Sequence, residues 1–322
     1  MTNDKCIIQI PCYNEEESLP ATLAALPRCL PGFETVEWLV IDDGSADRTA
    51  DVAREHGVDH IVRLTHNQGL AKAFMAGIDA CLKLGADVIV NTDADNQYCA
   101  DDIEKLVTPI VENRAEIVIG ARPVAEIEHF SRSKIILQKI GSWVVRIFSK
   151  TDVVDAPSGF RAFSRKAALR VNVFSDYTYT IEIIIQAGRN GMRIISVPIR
   201  TNDYLRPSRL VKSSLSYVIL SSLTILRIFV VYYPFKFFSI IGLINFLAGF
   251  VLGARYLVIM MMGGGGHVQS LILCAILIVI AFLMFTIAIL ADMMAVNRQL
   301  LEKIELHLKS TDEVLGDRKS KT

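Results

Sequence analysis

Short apolar, β-branched runs alternate with longer amphipathic stretches from residue 5 to residue 200. The runs Cys6–Ile10, Val36–Ile41, His60–Leu64, Ala86–Asn91, Ile117–Gly120 and Ile194–Ile199 are bounded by turn residues and predict strands. Between them, Glu16–Leu26, Asp47–His56, Leu70–Leu84 and Ala100–Asn113 predict helices, with further helix over Ser131–Ser149 and Tyr179–Arg189. Gly44 and Ser45 ahead of Asp47, and Gly57 behind His56, mark the start and stop of the second helix. Strand–helix alternation at this spacing predicts an α/β fold, a Rossmann-like, mainly parallel sheet covered on both faces. Ligands of such sheets sit beyond the carboxyl ends of the strands. Those ends read PCYNEEES, DDGS, NTDADNQ and GAR, four polar or acidic clusters on one edge.

The pattern changes after Tyr233. Phe237–Met262 and Val268–Ala291 are continuous apolar runs, each longer than the ~20 residues that cross ~30 Å of hydrocarbon. Gly263 to His267 joins them, which predicts a tight two-helix transmembrane hairpin. Leu210–Tyr233 is also apolar, but Ser214, Tyr217, Ser221, Thr224 and Arg227 recur on one stripe opposite Leu215, Ile219, Leu226 and Val230. That stripe predicts an amphipathic helix in the headgroup layer rather than a third span. The tail beyond Asp292 carries Arg298, Lys303, Lys309, Arg318, Lys319 and Lys321, a cytoplasmic signature, so both ends lie on one side of two crossings. Arg255, inside the first run, is placed to snorkel toward the far headgroups. The expected organisation is a catalytic domain over 1–208, juxtamembrane helices over 209–233, spans over 234–292 and a cytoplasmic tail over 293–322, frayed from 309.

Composition sharpens this division. The 322 residues carry 34 basic and 34 acidic side chains, a formal net charge of zero that gives no reason to expect a nucleic-acid partner. Yet between Phe237 and Ala291 the one formal charge is Arg255, so nearly all charge belongs to the rest of the chain. The six cysteines form no CxxC pair and read as reduced thiols of a cytosolic domain. Met1 to Lys5 leads straight into CIIQI without the layout of a signal peptide.

The chemistry concentrates in two acidic pairs. Asp93-Ala94-Asp95 follows a strand directly, and carboxylates two residues apart emerge on the same side of the chain. A divalent cation relieves their repulsion, and hard oxygen ligands suit Mg²⁺ or Mn²⁺. Gln97 adds a neutral oxygen two residues on, although such a pair also occurs as a plain helix cap. In Asp42-Asp43-Gly44-Ser45 the two carboxylates point opposite ways, so one can cap the next helix while the other accepts from a nucleobase N–H. Pro11, Tyr13 and Glu15 of the first loop could wall the same base.

In combination, PCYNEEES, IDDGSADRT, HNQGLAKA, NTDADNQY, GAR, SGFRAF and SVPIR, followed by two spans, resemble family-2 glycosyltransferases of the GT-A fold. The resemblance covers residues 5–292 and narrows to the polyprenyl-phosphate glycosyltransferases, the group of dolichyl-phosphate mannose synthase and the bactoprenol glucosyltransferases. It implies that Pro11, Tyr13, Glu15, Asp42, Asp93 and Ala94 hold the nucleoside, and that Asp95 and Gln97 ligate the metal on the diphosphate. Arg122 would pair with phosphate oxygens, and Asp155 is the spare carboxylate near the reacting groups. Arg132, Ser133 and Lys139 would meet the lipid phosphate, as would Ser208 and Arg209, where the family's usual Ser-Lys has arginine in a compressed loop.

The implied reaction is inverting, metal-dependent transfer of one hexose to undecaprenyl phosphate at the cytoplasmic face of the inner membrane. Glucose from UDP-glucose is the first expectation and mannose from GDP-mannose the second. The acceptor phosphate arrives anionic, with a second pKa near ~6, so no catalytic base is needed to activate it. An oxidoreductase is disfavoured because no GxGxxG follows the first strand. Processive synthesis is disfavoured because Gln186 to Asn190 lacks the tryptophan of QxxRW. An inactive membrane scaffold would have no need of Asp93, Asp95 and Arg122 together. The hairpin could also carry a homo-oligomer contact.

Overall fold

The computed structural model describes residues 5–123, 141–143, 145–147, 149–173, 179–202, 226–227, 229–263 and 268–320. Two compact units divide the chain, one formed by 1–221 with 306–322 and the other by 222–305.

The first unit is built on a seven-stranded sheet. In chain order its elements are β1 (Lys5–Cys12), α1 (Leu19–Ala25), β2 (Thr35–Asp42), α2 (Thr49–Glu55), β3 (His60–Arg63), α3 (Leu70–Lys83), β4 (Val88–Asn91), α4 (Ile103–Val111), β5 (Ile117–Ala121), β6 (Arg161–Ser164), α5 (Arg165–Arg170), α6 (Thr180–Arg189) and β7 (Ile194–Pro198). The strand order is β3-β2-β1-β4-β6-β5-β7. All pairings are parallel except those of β6, which runs antiparallel to both β4 and β5. The mainly parallel α/β sheet read from the sequence is what forms. β6 and α5 are additions to the predicted elements: Arg161–Ser164 is a central strand, and Ser164 caps the helix behind it, accepting from Ala167 N at 3.2 Å.

The central strands explain the near-continuous apolar runs. Ile7, Ile8, Ile10, Leu39 and Ile41 have no exposed surface, because helices cover both faces of the sheet. Each such side chain contributes ~1.5–3 kcal/mol relative to an exposed one. The polar exceptions pair with each other: Gln9 Nε2 donates to Asn91 Oδ1 at 2.9 Å in the sheet centre. Gly77 of α3 makes room for this pair, since a Cβ there would lie 2.4 Å from Gln9 Oε1.

The second unit contains α7 (Pro234–Met261) and most of α8 (Val268–Ser320). Pro234–Met261 and Val268–Arg298 are long and apolar enough to cross a membrane, with mean hydropathies of 2.1 and 3.2. The two helices meet through small residues. A Cβ on Gly242 would lie 3.3 Å from Ala281 O, and one on Gly249 would lie 3.3 Å from Cys274 O. Gly242 and Gly249 are one heptad apart, as are Ala281 and Cys274, so the contact repeats along the pair. At the other end of the pair from residues 264–267, Arg298 stacks on Tyr232 at 4.3 Å and Lys236 lies 5.4 Å from the Tyr233 ring. Aromatic and basic side chains of this kind suit a headgroup layer. The polar tail does not fray from residue 309 as the sequence predicts: α8 continues to Ser320. The predicted interfacial helix over 209–233 falls almost entirely outside the described residues.

Candidate active site

β1 pairs with β2 as far as Cys12 opposite Asp42, but with β4 only as far as Gln9 opposite Asn91. The chain turns outward on either side of that divergence. This is the switch point where a doubly wound sheet opens a crevice.

The first loop is stitched to the second. Asn14 adopts a left-handed φ of 54°, donates its N–H to Ser45 Oγ at 3.0 Å and accepts from Ala46 N at 2.9 Å. Glu15 N donates to Thr49 Oγ1 at 2.8 Å, and Ser18 Oγ donates to the Glu15 carboxylate. Tyr13 projects with 43% of its surface exposed, Glu15 is half-buried, and Pro11 is buried within β1 opposite Ile41.

The two aspartates after β2 divide their work. Asp43 accepts from Gln68 N at 2.8 Å and Gly69 N at 2.9 Å, drawing the HNQG loop onto the sheet edge. Gly44, at φ 69°, permits that approach: a Cβ there would lie 2.5 Å from the His66 carbonyl carbon. Asp42 is fully buried and its Oδ1 accepts from Ser45 N at 2.8 Å. Its Oδ2 lies 3.1 Å from Arg63 Nε, close enough for an ion pair but without the alignment of a hydrogen bond. That oxygen is a buried acceptor with no aligned donor among the described residues.

The loop after β4 is fixed at several points. Ala94 belongs to the core, 4% exposed, and its carbonyl accepts from Thr22 Oγ1 of α1 at 2.8 Å. Asp95 Oδ1 accepts from Gln97 N at 3.2 Å, closing a turn around Asn96 at φ 54°. Burial, and then the charge of Asp95, push Asp93 up to about 7 against the pull of Arg122 and of a hydrogen bond from Tyr98. Tyr98 Oη also accepts from Gly159 N at 3.2 Å, and its ring stacks on Phe160 at 4.9 Å.

Gly159 passes directly beneath Asp93. A Cβ there would lie 3.0 and 3.2 Å from the two Asp93 oxygens and 3.1 Å from Tyr179 Oη. Gly159→Ala is therefore expected to displace the Asp93 carboxylate and lower transfer roughly tenfold. A melting temperature within a few degrees of the parent, with an unchanged rate, would show that the placement of Asp93 does not matter to turnover.

Arg122 and Asp155 come together. Arg122 Nε donates to Asp155 Oδ2 at 2.7 Å and Nη2 to Oδ1 at 3.1 Å, a two-point pair in which Asp155 is 1% exposed. Behind it, the fully buried Arg161 donates to three backbone carbonyls, Ser158, Thr180 and Ala156, each at 2.8 Å. Burial pulls Arg161 down to about 10, against the nearby negative charges of Asp155 and Asp93. The structure thus gathers Asp93, Asp95, Arg122 and Asp155, with Glu15 close enough to act on the Asp93 charge, and Gln97 is tied to Asp95 through its backbone N–H. Arg132, Ser133, Lys139, Ser208 and Arg209 lie outside the described residues. Tyr98 and Gly159 were not singled out from the sequence, and their presence inside NTDADNQY and SGFRAF was the available signal.

Among the described residues, no three His, Cys, Asp or Glu side chains are grouped to hold a metal unaided. The donor set nevertheless fits a hard divalent cation. Burial, and then the charge of Asp95, raise Asp93, a strain that a shared cation would relieve, and Gln97 follows on the same loop. Magnesium sites commonly use one or two carboxylates, with substrate phosphates completing the shell.

Known proteins resemble the chain in sequence and in fold. Polyprenol monophosphomannose synthase of Mycolicibacterium smegmatis is 28% identical over 206 residues, which cover 61% of this chain and 76% of that protein. Undecaprenyl-phosphate mannosyltransferase of Micrococcus luteus is 30% identical over 200 residues, 59% of this chain and 80% of that one. The crystal structure of Mycobacterium tuberculosis glucosyl-3-phosphoglycerate synthase with Mn²⁺, UDP and glucosyl-3-phosphoglycerate superposes with a TM-score of 0.51 at 18% identity, covering 69% of this chain and 80% of that one. At that identity what it shares with this chain is the GT-A fold. Residues 7–177, more than half of the chain, match glycosyl transferase family 2, and the chain belongs to that family.

Proposed function

We propose that the protein transfers a single hexose, with inversion, from a nucleoside diphosphate donor to a polyprenyl phosphate at the cytoplasmic face of a membrane. The observation that carries this reading is the acidic loop at the sheet's switch point, Asp93 and Asp95, facing Arg122 and Asp155. The two apolar helices and the polyprenol-phosphate enzymes among its relatives support the lipid acceptor.

The buried Asp42 Oδ2, lacking an aligned donor, is suited to accept a nucleobase N–H, with Tyr13 exposed beside the same loop. Asp93 would hold the ribose side of the diphosphate, and Asp95 with Gln97 would hold Mg²⁺ or Mn²⁺. When bound, the cation neutralises charge on the departing diphosphate. Arg122, oriented by Asp155, presents a guanidinium to phosphate oxygens. A phosphate oxygen of the acceptor attacks the anomeric carbon, the bond from that carbon to the diphosphate oxygen breaks, and the electron pair leaves with the nucleoside diphosphate. The acceptor is already ionised, so the chain's task is alignment and charge stabilisation. Arg132, Ser133, Lys139, Ser208 and Arg209 are assigned to the acceptor phosphate.

The donor is read as UDP-glucose, and the two mannosyltransferases named above favour GDP-mannose as the second reading. Purified full-length protein in bilayers, given a panel of nucleotide sugars and a full-length polyprenyl phosphate with Mg²⁺ or Mn²⁺, is expected to consume one donor and form one sugar-phosphate lipid. Absence of lipid product with every donor would refute the proposal. Transfer from GDP-mannose alone would replace the first donor with the second.

A further inference from the structure

The loop that carries Asp95 and Gln97 is gripped from outside by one side chain. Asn202 lies four residues past the end of β7, in the segment that leads from the first unit toward the helices of the second. Its amide Nδ2 donates to Asn96 O at 2.9 Å and to Tyr98 O at 3.2 Å, with Asn96 Oδ1 at 3.4 Å. Its backbone N–H donates to Gln97 O at 2.9 Å. Three successive carbonyls, 96, 97 and 98, therefore point at a single residue.

This arrangement has a clear physical purpose. A turn with Asn96 at φ 54° costs conformational energy and turns its carbonyls away from the helix or sheet that would otherwise satisfy them. An asparagine amide has two donors, and with its own backbone N–H it can satisfy three acceptors at once. No other neutral side chain of that length combines them in this way. The grip is itself anchored: Thr201 bridges to Tyr98, Cys99 N donates to Arg200 O at 3.3 Å, and Arg200 pairs with Asp102, donating from Nη2 to Oδ1 at 2.9 Å and from its backbone N to Oδ2 at 2.6 Å.

We infer that Asn202 is a positioning residue for the acidic loop, setting the backbone that carries Asp95 and Gln97 toward a divalent cation and the donor diphosphate. The inference rests on the metal role given to that loop under Proposed function. Asn202 itself touches neither substrate nor cation.

The test is nucleoside diphosphate binding by the full-length protein in detergent, UDP and GDP each titrated with EDTA and then with saturating Mn²⁺. Asn202→Ala is expected to keep the metal-free affinity and to lose about 10–100-fold of the Mn²⁺-dependent gain, the usual effect of removing a group that orients metal ligands. Arg200→Lys, which loosens the neighbouring anchor on the same segment, is expected to keep the gain. Thermal melting of both variants within a few degrees of the parent establishes that they fold. A full Mn²⁺ gain in Asn202→Ala overturns the inference, as does an equal loss in Arg200→Lys. Loss of metal-free binding or of folding in Asn202→Ala would make the residue a structural one and overturns it too. If the parent protein shows no Mn²⁺-dependent gain, the metal role itself fails, an outcome distinct from the others.

Discussion

Asp95→Asn is expected to abolish sugar transfer while the protein remains folded. The carboxylate stands half-buried on a loop, and the bond it accepts from Gln97 N at 3.2 Å can be accepted equally by an asparagine oxygen. The core beneath is anchored elsewhere, through Ala94 O on Thr22 and the Asn202 contacts. On the proposed metal role, what changes is the charge offered to a cation on the diphosphate. Removing it withdraws several kcal/mol at the step where the leaving group develops charge, and about 4 kcal/mol corresponds to ~10³ in rate. The measurement is turnover in Mg²⁺ and in Mn²⁺ beside a thermal melt. Near-parental turnover in either metal would remove Asp95 from the metal site.

Replacing Asp155 with alanine should produce the largest loss of stability in the domain. The carboxylate is 1% exposed and makes a two-point pair with Arg122, which is 13% exposed on its side chain. Deleting one member leaves a guanidinium in a site that desolvates it, a change that costs about 3–5 kcal/mol in comparable buried pairs. For a domain of this size that corresponds to roughly 10 °C in melting temperature. Transfer should fall as well, because Arg122 loses the partner that fixes its plane. Asp155→Asn keeps one oxygen and is expected to lie between the two. A melting temperature within 2 °C of the parent for Asp155→Ala would show that the pair contributes little.

Much of this was legible because local pattern and tertiary role coincide. Cys6–Ile10 and Val36–Ile41 read as strands since both faces of the sheet are covered, and the structure places them side by side in register. Asp93, Asp95 and Asp42 could be chosen because strand ends of a parallel sheet share one edge. Other features depend on partners far along the chain. Arg161–Ser164 is only four residues long and begins with an arginine, a pattern that gives no hint of a central strand. Its burial becomes reasonable once three carbonyls surround the guanidinium. The pairing of Arg122 with Asp155 and the hold of Asn202 on residues 96–98 join positions 33 and up to 106 residues apart, and no local spacing encodes them.

The reversed strand also orders the assembly of the domain in time. β6 lies between β4 and β5 in the sheet, yet it is made after both. As the chain leaves the ribosome, β3, β2, β1 and β4 can close into a half-sheet from the first ninety-one positions. β5 then has no neighbour, because the slot beside β4 is reserved for residues 161–164. Until those four residues arrive, the β4 edge is an open row of amides and carbonyls, the kind of edge that recruits other chains. The helices that follow are the most apolar part of the protein and emerge later still. Insertion of β6 between β4 and β5, followed by β7 on the free side of β5, thus completes the sheet before the two apolar helices are made.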